Sequence, residues 1–191
     1  MATPLRENAP ARGRRFFVAR TLILVRHAKS DWSAPVDDQH RPLARRGRRQ
    51  APATGRWLAQ HLPAPDLVLV SVAVRAQQTW ELLASELPEL SELPRDAPVR
   101  SEDAVYTFSG ETLSRVVADL PTHLDSVLLV GHNPALEDLL EHLTARRLRL
   151  PTSALAVVDL PEWGARTGHL RAFGRPADER VTLGPGANEP R

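Results

Sequence analysis

Three short stretches, residues 22–26, 67–70 and 127–130, are apolar without the alternation that marks a half-buried strand. Runs of that length and character read as strands buried on both faces. Helical periodicity fills the intervals between them. Over 45–62, the small or apolar residues Ala51, Thr54, Gly55, Leu58 and Leu62 recur at three- and four-residue steps, with Pro52 expected to start or kink the helix. Over 75–85, Ala76, Trp80, Leu83 and Ala84 define an inner face, and over 111–120 Leu113, Val116, Val117 and Leu120 do the same. A fourth helix is predicted over 134–143, with Pro134 at its first position. Val99 opens a short strand, and 154–160 with 169–173 form a final strand pair. Pro88 and Pro94 mark 87–97 as a loop, and no internal repeat is present.

Strands of this kind alternating with helices predict an α/β fold of three layers, a mostly parallel sheet with helices on both faces. The length of 191 residues suits one domain, and the 42% of apolar residues is enough for a core. The expected division is a basic, flexible N-terminal tail over 1–20, one domain over 21–174, and a loose C-terminal tail over 175–191, where Pro176, Gly184, Pro185, Gly186 and Pro190 fall.

Charge refines the picture. Lys29 is the single lysine among 25 basic residues. Residues 1–20 hold Arg6, Arg12, Arg14, Arg15 and Arg20 against Glu7, so the remainder of the chain is slightly acidic. A body of that sign is a poor generic binder of nucleic acid. Phe16-Phe17-Val18-Ala19 is too short for a secretory core, and no apolar run reaches the ~20 residues of a membrane span. The expectation is a cytoplasmic protein with neither a membrane nor a nucleic-acid partner, its oligomeric state left open. With no Cys, disulfides, thiolate metal sites and Cys nucleophiles are excluded.

In a parallel sheet, ligands bind beyond the carboxyl ends of the strands. The first strand ends in Arg26-His27-Ala28-Lys29-Ser30. The second ends in Ser71-Val72-Ala73-Val74-Arg75, and the third in Gly131-His132-Asn133-Pro134. Parallel strands bring two His and two Arg to one edge. Two imidazoles among guanidiniums repel a metal cation but suit a phosphoryl group, which Arg meets with a fork of donors. A neutral imidazole there can attack phosphorus. Ser71 lacks the Gly-x-Ser-x-Gly elbow of a nucleophile, and His40, His61, His123, His142 and His169 share no spacing and read as surface or structural residues. Walker and Rossmann fingerprints are absent.

The stretch Leu24-Val25-Arg26-His27-Ala28-Lys29-Ser30-Asp31-Trp32 strongly resembles the signature of the histidine phosphatase (phosphoglycerate mutase-like) superfamily, in its SixA-type phosphohistidine phosphatase branch. His40-Arg41-Pro42-Leu43 with Gly47, Gly131-His132-Asn133-Pro134, and the lead-in Leu150-Pro151-Thr152-Ser153-Ala154 to the final strand pair extend the resemblance over about residues 21–173. It implies a phosphoglycerate mutase-like fold, His27 as nucleophile, His132 as stabiliser of the phosphoryl group, and Arg26, Arg75 and Arg41 as phosphate ligands, without cofactor or metal. One departure stands out. The family pattern Ser-Ser-Pro-Ala-x-Arg-Ala is here Val70-Ser71-Val72-Ala73-Val74-Arg75-Ala76, so a turn that proline would stiffen has lost it.

Superfamily members that cleave phosphate esters supply an acid to protonate the leaving alkoxide. The candidate general acids in that stretch are Glu102 and Asp103. A weak acid suits phosphohistidine, whose imidazole leaves from phosphorus without much help. The interval 76–125 also has little room for a large helical lid. The resulting expectation is a metal-independent phosphatase with a covalent phosphohistidine intermediate, acting on phosphohistidine in a protein. The alternatives are a phosphomonoesterase for small substrates (sugar phosphates or nucleotides) and a non-catalytic module that binds a phosphorylated ligand.

Overall fold

The structure, a computed structural model, describes residues 19–33, 35–87 and 99–184. Most of the basic N-terminal tail, the loop expected over 87–97 apart from Leu87, and the last seven residues lie outside the described residues. Among the described residues seven strands form one sheet: β1 (Arg20–Arg26), β2 (Leu67–Ser71), β3 (Val99–Glu102), β4 (Ser126–Gly131), β5 (Leu155–Leu160), β6 (His169–Arg175) and β7 (Arg180–Leu183). Their order is β3-β2-β4-β1-β5-β6-β7. The first four in that order are parallel neighbours, and each neighbour beyond β1 is antiparallel. β6 therefore runs with β1, and only β5 and β7 oppose the majority.

Among the described residues four helices cover the sheet: α1 (Arg45–His61), α2 (Val74–Ala84), α3 (Gly110–Ala118) and α4 (Ala135–Thr144). Side chains alternate across a strand, so each apolar run feeds two cores. Ile23, Val25, Val68, Val70, Leu128 and Val130 pack with Leu58 of α1 and Ala76, Trp80 and Leu83 of α2. Leu22, Leu24, Leu67, Leu69, Val127 and Leu129 pack on the other face with Leu113 and Val117 of α3 and Leu136, Leu139 and Leu140 of α4. That double burial is why these strands carry no polar alternation.

Two expectations need correction. The C-terminal segment is not loose from residue 175. A 3-10 turn (Pro176–Asp178) leads into β7, which pairs with β6 from Ala172↔Leu183 to Arg175↔Arg180. Gly174, at φ +153, permits the approach, because a Cβ there would lie 1.9 Å from the Arg180 carbonyl oxygen. Domain structure thus reaches at least to residue 183, and at the other end β1 already includes Arg20. Pro52 does not start α1: the helix runs through it, and because proline has no N–H the Arg48 carbonyl loses its helical partner. Among the described residues between α2 and α3 stand β3 and a 3-10 turn (Asp103–Val105), and no helix. No described helix is long and apolar enough to cross a membrane.

Candidate active site

Register places the functional strand ends level. Arg26 pairs with Gly131, and Val130 with Val70, while Ser71 pairs with Glu102. The residues that follow emerge together at the carboxyl edge of the parallel strands. Arg26, His27, Arg41, Arg75 and His132 meet there in one pocket of about 360 Å³, which Lys29, Ser30, Trp32, Asp38, Phe108, Asn133 and Thr152 complete. A larger cavity of about 580 Å³ lies between α1 and the 176–181 segment, lined by Trp57, Pro176 and Val181, and holds none of these groups. Glu102 and Asp103 are not brought into the pocket. The Glu102 carboxylate accepts from the Ala104 N–H and caps the 3-10 turn, and Asp103 points to solvent. Their turn leads to Tyr106, whose hydroxyl donates to Asp38.

Backbone contacts hold the first strand end. The His27 N–H donates to the Gly131 carbonyl, and Ser153, in a left-handed conformation at φ 64, donates its N–H to the carbonyls of Arg26 and His27. Gly47 in the first turn of α1 lets that helix close on Lys29, since a Cβ there would sit 2.2 Å from the Lys29 carbonyl oxygen. The segment after α4 wraps Arg26, whose Nη1 donates to the Leu150 carbonyl at 2.7 Å. Asn133 donates to the same oxygen and to Glu137, which accepts the Leu150 N–H. Arg26 Nε is buried with no hydrogen-bond partner among the described residues and lies at the pocket.

The two imidazoles stand 4.9 Å apart between ring centroids. His27 Nδ1 lies 2.8 Å from the Ala28 carbonyl oxygen, an acceptor only, so Nδ1 carries the proton and Nε2 keeps its lone pair. Arg75 Nε–H faces that lone pair at 3.4 Å, and Arg75 Nη2 donates to His132 Nδ1 at 3.3 Å. His132 Nε2 is then the protonated nitrogen and donates to Ser71 Oγ at 2.7 Å. Ser71 is no nucleophile here. It orients His132, and its Oγ also accepts the Ala73 N–H at 3.3 Å, closing the turn that lacks proline.

Both imidazoles are held neutral. Burial comes first in lowering His27 to about 3, with His132, Arg75 and Arg26 adding to it against the Ala28 hydrogen bond. Burial also leads for His132, again to about 3, followed by Arg75, with Asp38 opposing and Arg26 and Arg41 adding. Desolvation thus outranks the arginine charges. An unfolded imidazole takes up a proton near pH 6.5, which the folded site refuses until about pH 3. The stability these groups contribute is complete above pH 6.5 and is lost as the pH falls toward 3, by roughly 1 kcal/mol per histidine per pH unit. Urea unfolding at pH 7, 6 and 5 should show wild type losing stability more steeply than His132→Asn, and equal slopes would contradict the assignment.

Asp38 and Tyr106 are the residues that sequence reasoning missed. The Asp38 carboxylate lines the pocket and joins four donors: Arg41 Nε (3.0 Å) and Nη2 (2.6 Å) on Oδ1, Arg75 Nη2 (2.8 Å) and Tyr106 OH (2.8 Å) on Oδ2. Desolvation pushes its pKa up, but the hydrogen bonds from Tyr106 and Arg41 and the charge of Arg75 outweigh this and hold it below the usual carboxylate range. Arg41 also donates to Ser30 Oγ at 3.0 Å and lies 3.5 Å over the Trp32 ring centroid. The signal available was the acid three residues before Arg41 and the chain's single Tyr just past a strand end.

Comparison with known proteins identifies the family. The model of the histidine phosphatase superfamily (branch 1) matches residues 22–97. An uncharacterized protein of Mycobacterium tuberculosis is 35% identical over 145 residues, which cover 70% of this chain and 85% of the relative. A solved structure of a candidate phosphohistidine phosphatase SixA from Agrobacterium tumefaciens is 31% identical, with a TM-score of 0.68 over 81% of this chain and 97% of that one. The structure of a protein histidine phosphatase SixA complexed with tungstate shares the fold at 22% identity, with a TM-score of 0.66 over 84% of this chain and 99% of that one. The chain belongs to the histidine phosphatase superfamily, in its SixA-type branch, and is a phosphatase.

Proposed function

We propose that this phosphatase removes the phosphoryl group from phosphohistidine on a protein, through a covalent phosphoryl-His27 intermediate. The observation that carries the reading is the state of Asp38. Among the described residues it is the carboxylate that lines the pocket, and Arg41, Arg75 and Tyr106 hold it ionised. An ionised carboxylate cannot protonate a leaving alkoxide. A phosphorylated imidazole needs far less help, because its nitrogen leaves as a stable neutral ring once solvent supplies a proton.

The His27 Nε2 lone pair forms a bond to phosphorus as the P–N bond to the substrate imidazole breaks, that electron pair returning to the leaving nitrogen. Water then attacks phosphorus, the bond to Nε2 breaks, and inorganic phosphate leaves with its proton passing to solvent. Arg26, Arg75 and Arg41 would balance the phosphoryl charge, and His132 Nδ1, beside Arg75, faces the same space. Among the described residues no three His, Asp or Glu converge as metal ligands. Two exposed aromatics, Trp32 at 69% and Phe108 at 60% exposure, flank the pocket and offer apolar surface to a substrate presented on a protein.

The test is phosphate release from a protein phosphorylated on histidine, beside phosphoramidate and a panel of alkyl and sugar phosphomonoesters, with and without excess EDTA. The phosphohistidine protein should exceed the esters in kcat/KM by at least about 10²-fold, the scale of a missing general acid. EDTA should change nothing, and neither should Glu102→Gln or Asp103→Asn. Sugar phosphates as the better substrates, with one of these two changes costing about a hundredfold, would replace this reading with a small-molecule phosphomonoesterase.

A further inference from the structure

We infer that Asp38 is a positioning residue: its carboxylate fixes the guanidiniums of Arg75 and Arg41 in the orientation that receives the substrate's phosphoryl group. The inference rests on the phosphoryl-transfer reading of the pocket and assigns a role within it to a residue outside the His and Arg set.

The two guanidiniums meet Asp38 through different edges. The Nε/Nη2 edge of Arg75 faces His27 Nε2 and His132 Nδ1 at 3.4 and 3.3 Å, contacts longer than a good N–H hydrogen bond. Its Nη1/Nη2 end meets Asp38 twice, at the main-chain carbonyl and at Oδ2. Arg75 is thus held firmly at its end and loosely along the edge toward the histidines. A phosphoryl oxygen can take those two donors without displacing Asp38. On the other oxygen, Oδ1 takes both Nε and Nη2 of Arg41, whose Nη1 is fixed by Ser30. One carboxylate therefore stands between two guanidiniums that would otherwise repel each other.

The supports of Asp38 come from separate parts of the chain. The 3-10 turn Asp38–His40 sets its spacing to Arg41. Arg75 arrives on the first turn of α2, and Tyr106 closes Oδ2 from beyond β3. Arg75 is 2% exposed, so its rotamer has little other freedom to lose. Without Asp38, each long side chain regains rotamers that must be frozen again when the phosphoryl group binds.

Asp38→Asn and Asp38→Glu test the assignment, read by tungstate affinity in calorimetry, by kcat and KM on phosphoramidate, and by Tm. Asn offers one acceptor and turns an N–H₂ toward groups that are donors already. Its tungstate Kd should rise at least about tenfold and its kcat/KM fall about 10²-fold, the scale of a mispositioned catalytic group, with the larger change in KM. Its Tm should stay within about 4 °C of wild type. Glu keeps two oxygens for two arginines and should recover to within about tenfold of wild-type kcat/KM. Tungstate bound as tightly as by wild type, or more tightly, would overturn the proposal, because Asp38 would then be neutral or a competitor for the site. If the Asn variant does not fold, Tyr106→Phe loosens the same carboxylate and should cost about three- to tenfold in kcat/KM. No change there would also overturn it. Failure of wild type itself to bind tungstate would remove the phosphoryl-site reading along with this one.

Discussion

His27→Ala is expected to abolish turnover, by about 10⁴-fold or more, while tungstate still binds. The variant removes the Nε2 lone pair that the Ala28 carbonyl keeps free by fixing the proton on Nδ1. No neighbour replaces it. His132 Nε2 is spent on Ser71 Oγ, and its Nδ1 receives Arg75. Ser71 Oγ is fully buried and engaged with both His132 and the Ala73 N–H. The charge that receives an oxyanion is untouched. Arg26 remains anchored by the Leu150 carbonyl with its Nε open, and Arg75 remains held by Asp38. Phosphate release and calorimetry on the same preparation separate the two effects. Activity near wild type would end the covalent mechanism, and loss of tungstate binding would show that His27 is needed to build the pocket.

The strands that position the site were legible because double burial leaves an unbroken apolar run, as in 67–70 and 127–130. β7 was not. Arg180-Val181-Thr182-Leu183 is an edge strand, mostly exposed, and its composition resembles the turn-rich residues around it. The Arg and His at the strand ends could be read because parallel topology alone converges them. Asp38 could not, since its partners Arg75 and Tyr106 lie 37 and 68 residues away and only the folded chain joins them. Glu102 and Asp103 stand at the end of β3, but the turn that follows spends Glu102 on its own cap and brings Tyr106 to Asp38. What a strand end offers to a pocket depends on that turn, which residue types alone do not determine.

Arg75→Lys is expected to lower kcat/KM by about 10²–10³-fold, the scale seen when a donor preorganised toward developing charge is lost. Charge is conserved in this change, so any loss measures geometry. The guanidinium reaches His27 Nε2, His132 Nδ1, the Asp38 carboxylate and the Asp38 main-chain carbonyl from one rigid plane. An ammonium has three donors on a single nitrogen and cannot serve the histidine edge and the Asp38 end together. Asp38 is the stronger acceptor and would draw the ammonium to itself, leaving the space beside the histidines without a donor. Binding and chemistry should therefore fall together. Tungstate affinity should drop in Arg75→Lys, whereas it survives in His27→Ala, and kcat should drop as well, because phosphoryl charge in the transition state loses its fork. A variant within tenfold of wild type would mean that Arg75 acts as a point charge and that its paired edges carry no function.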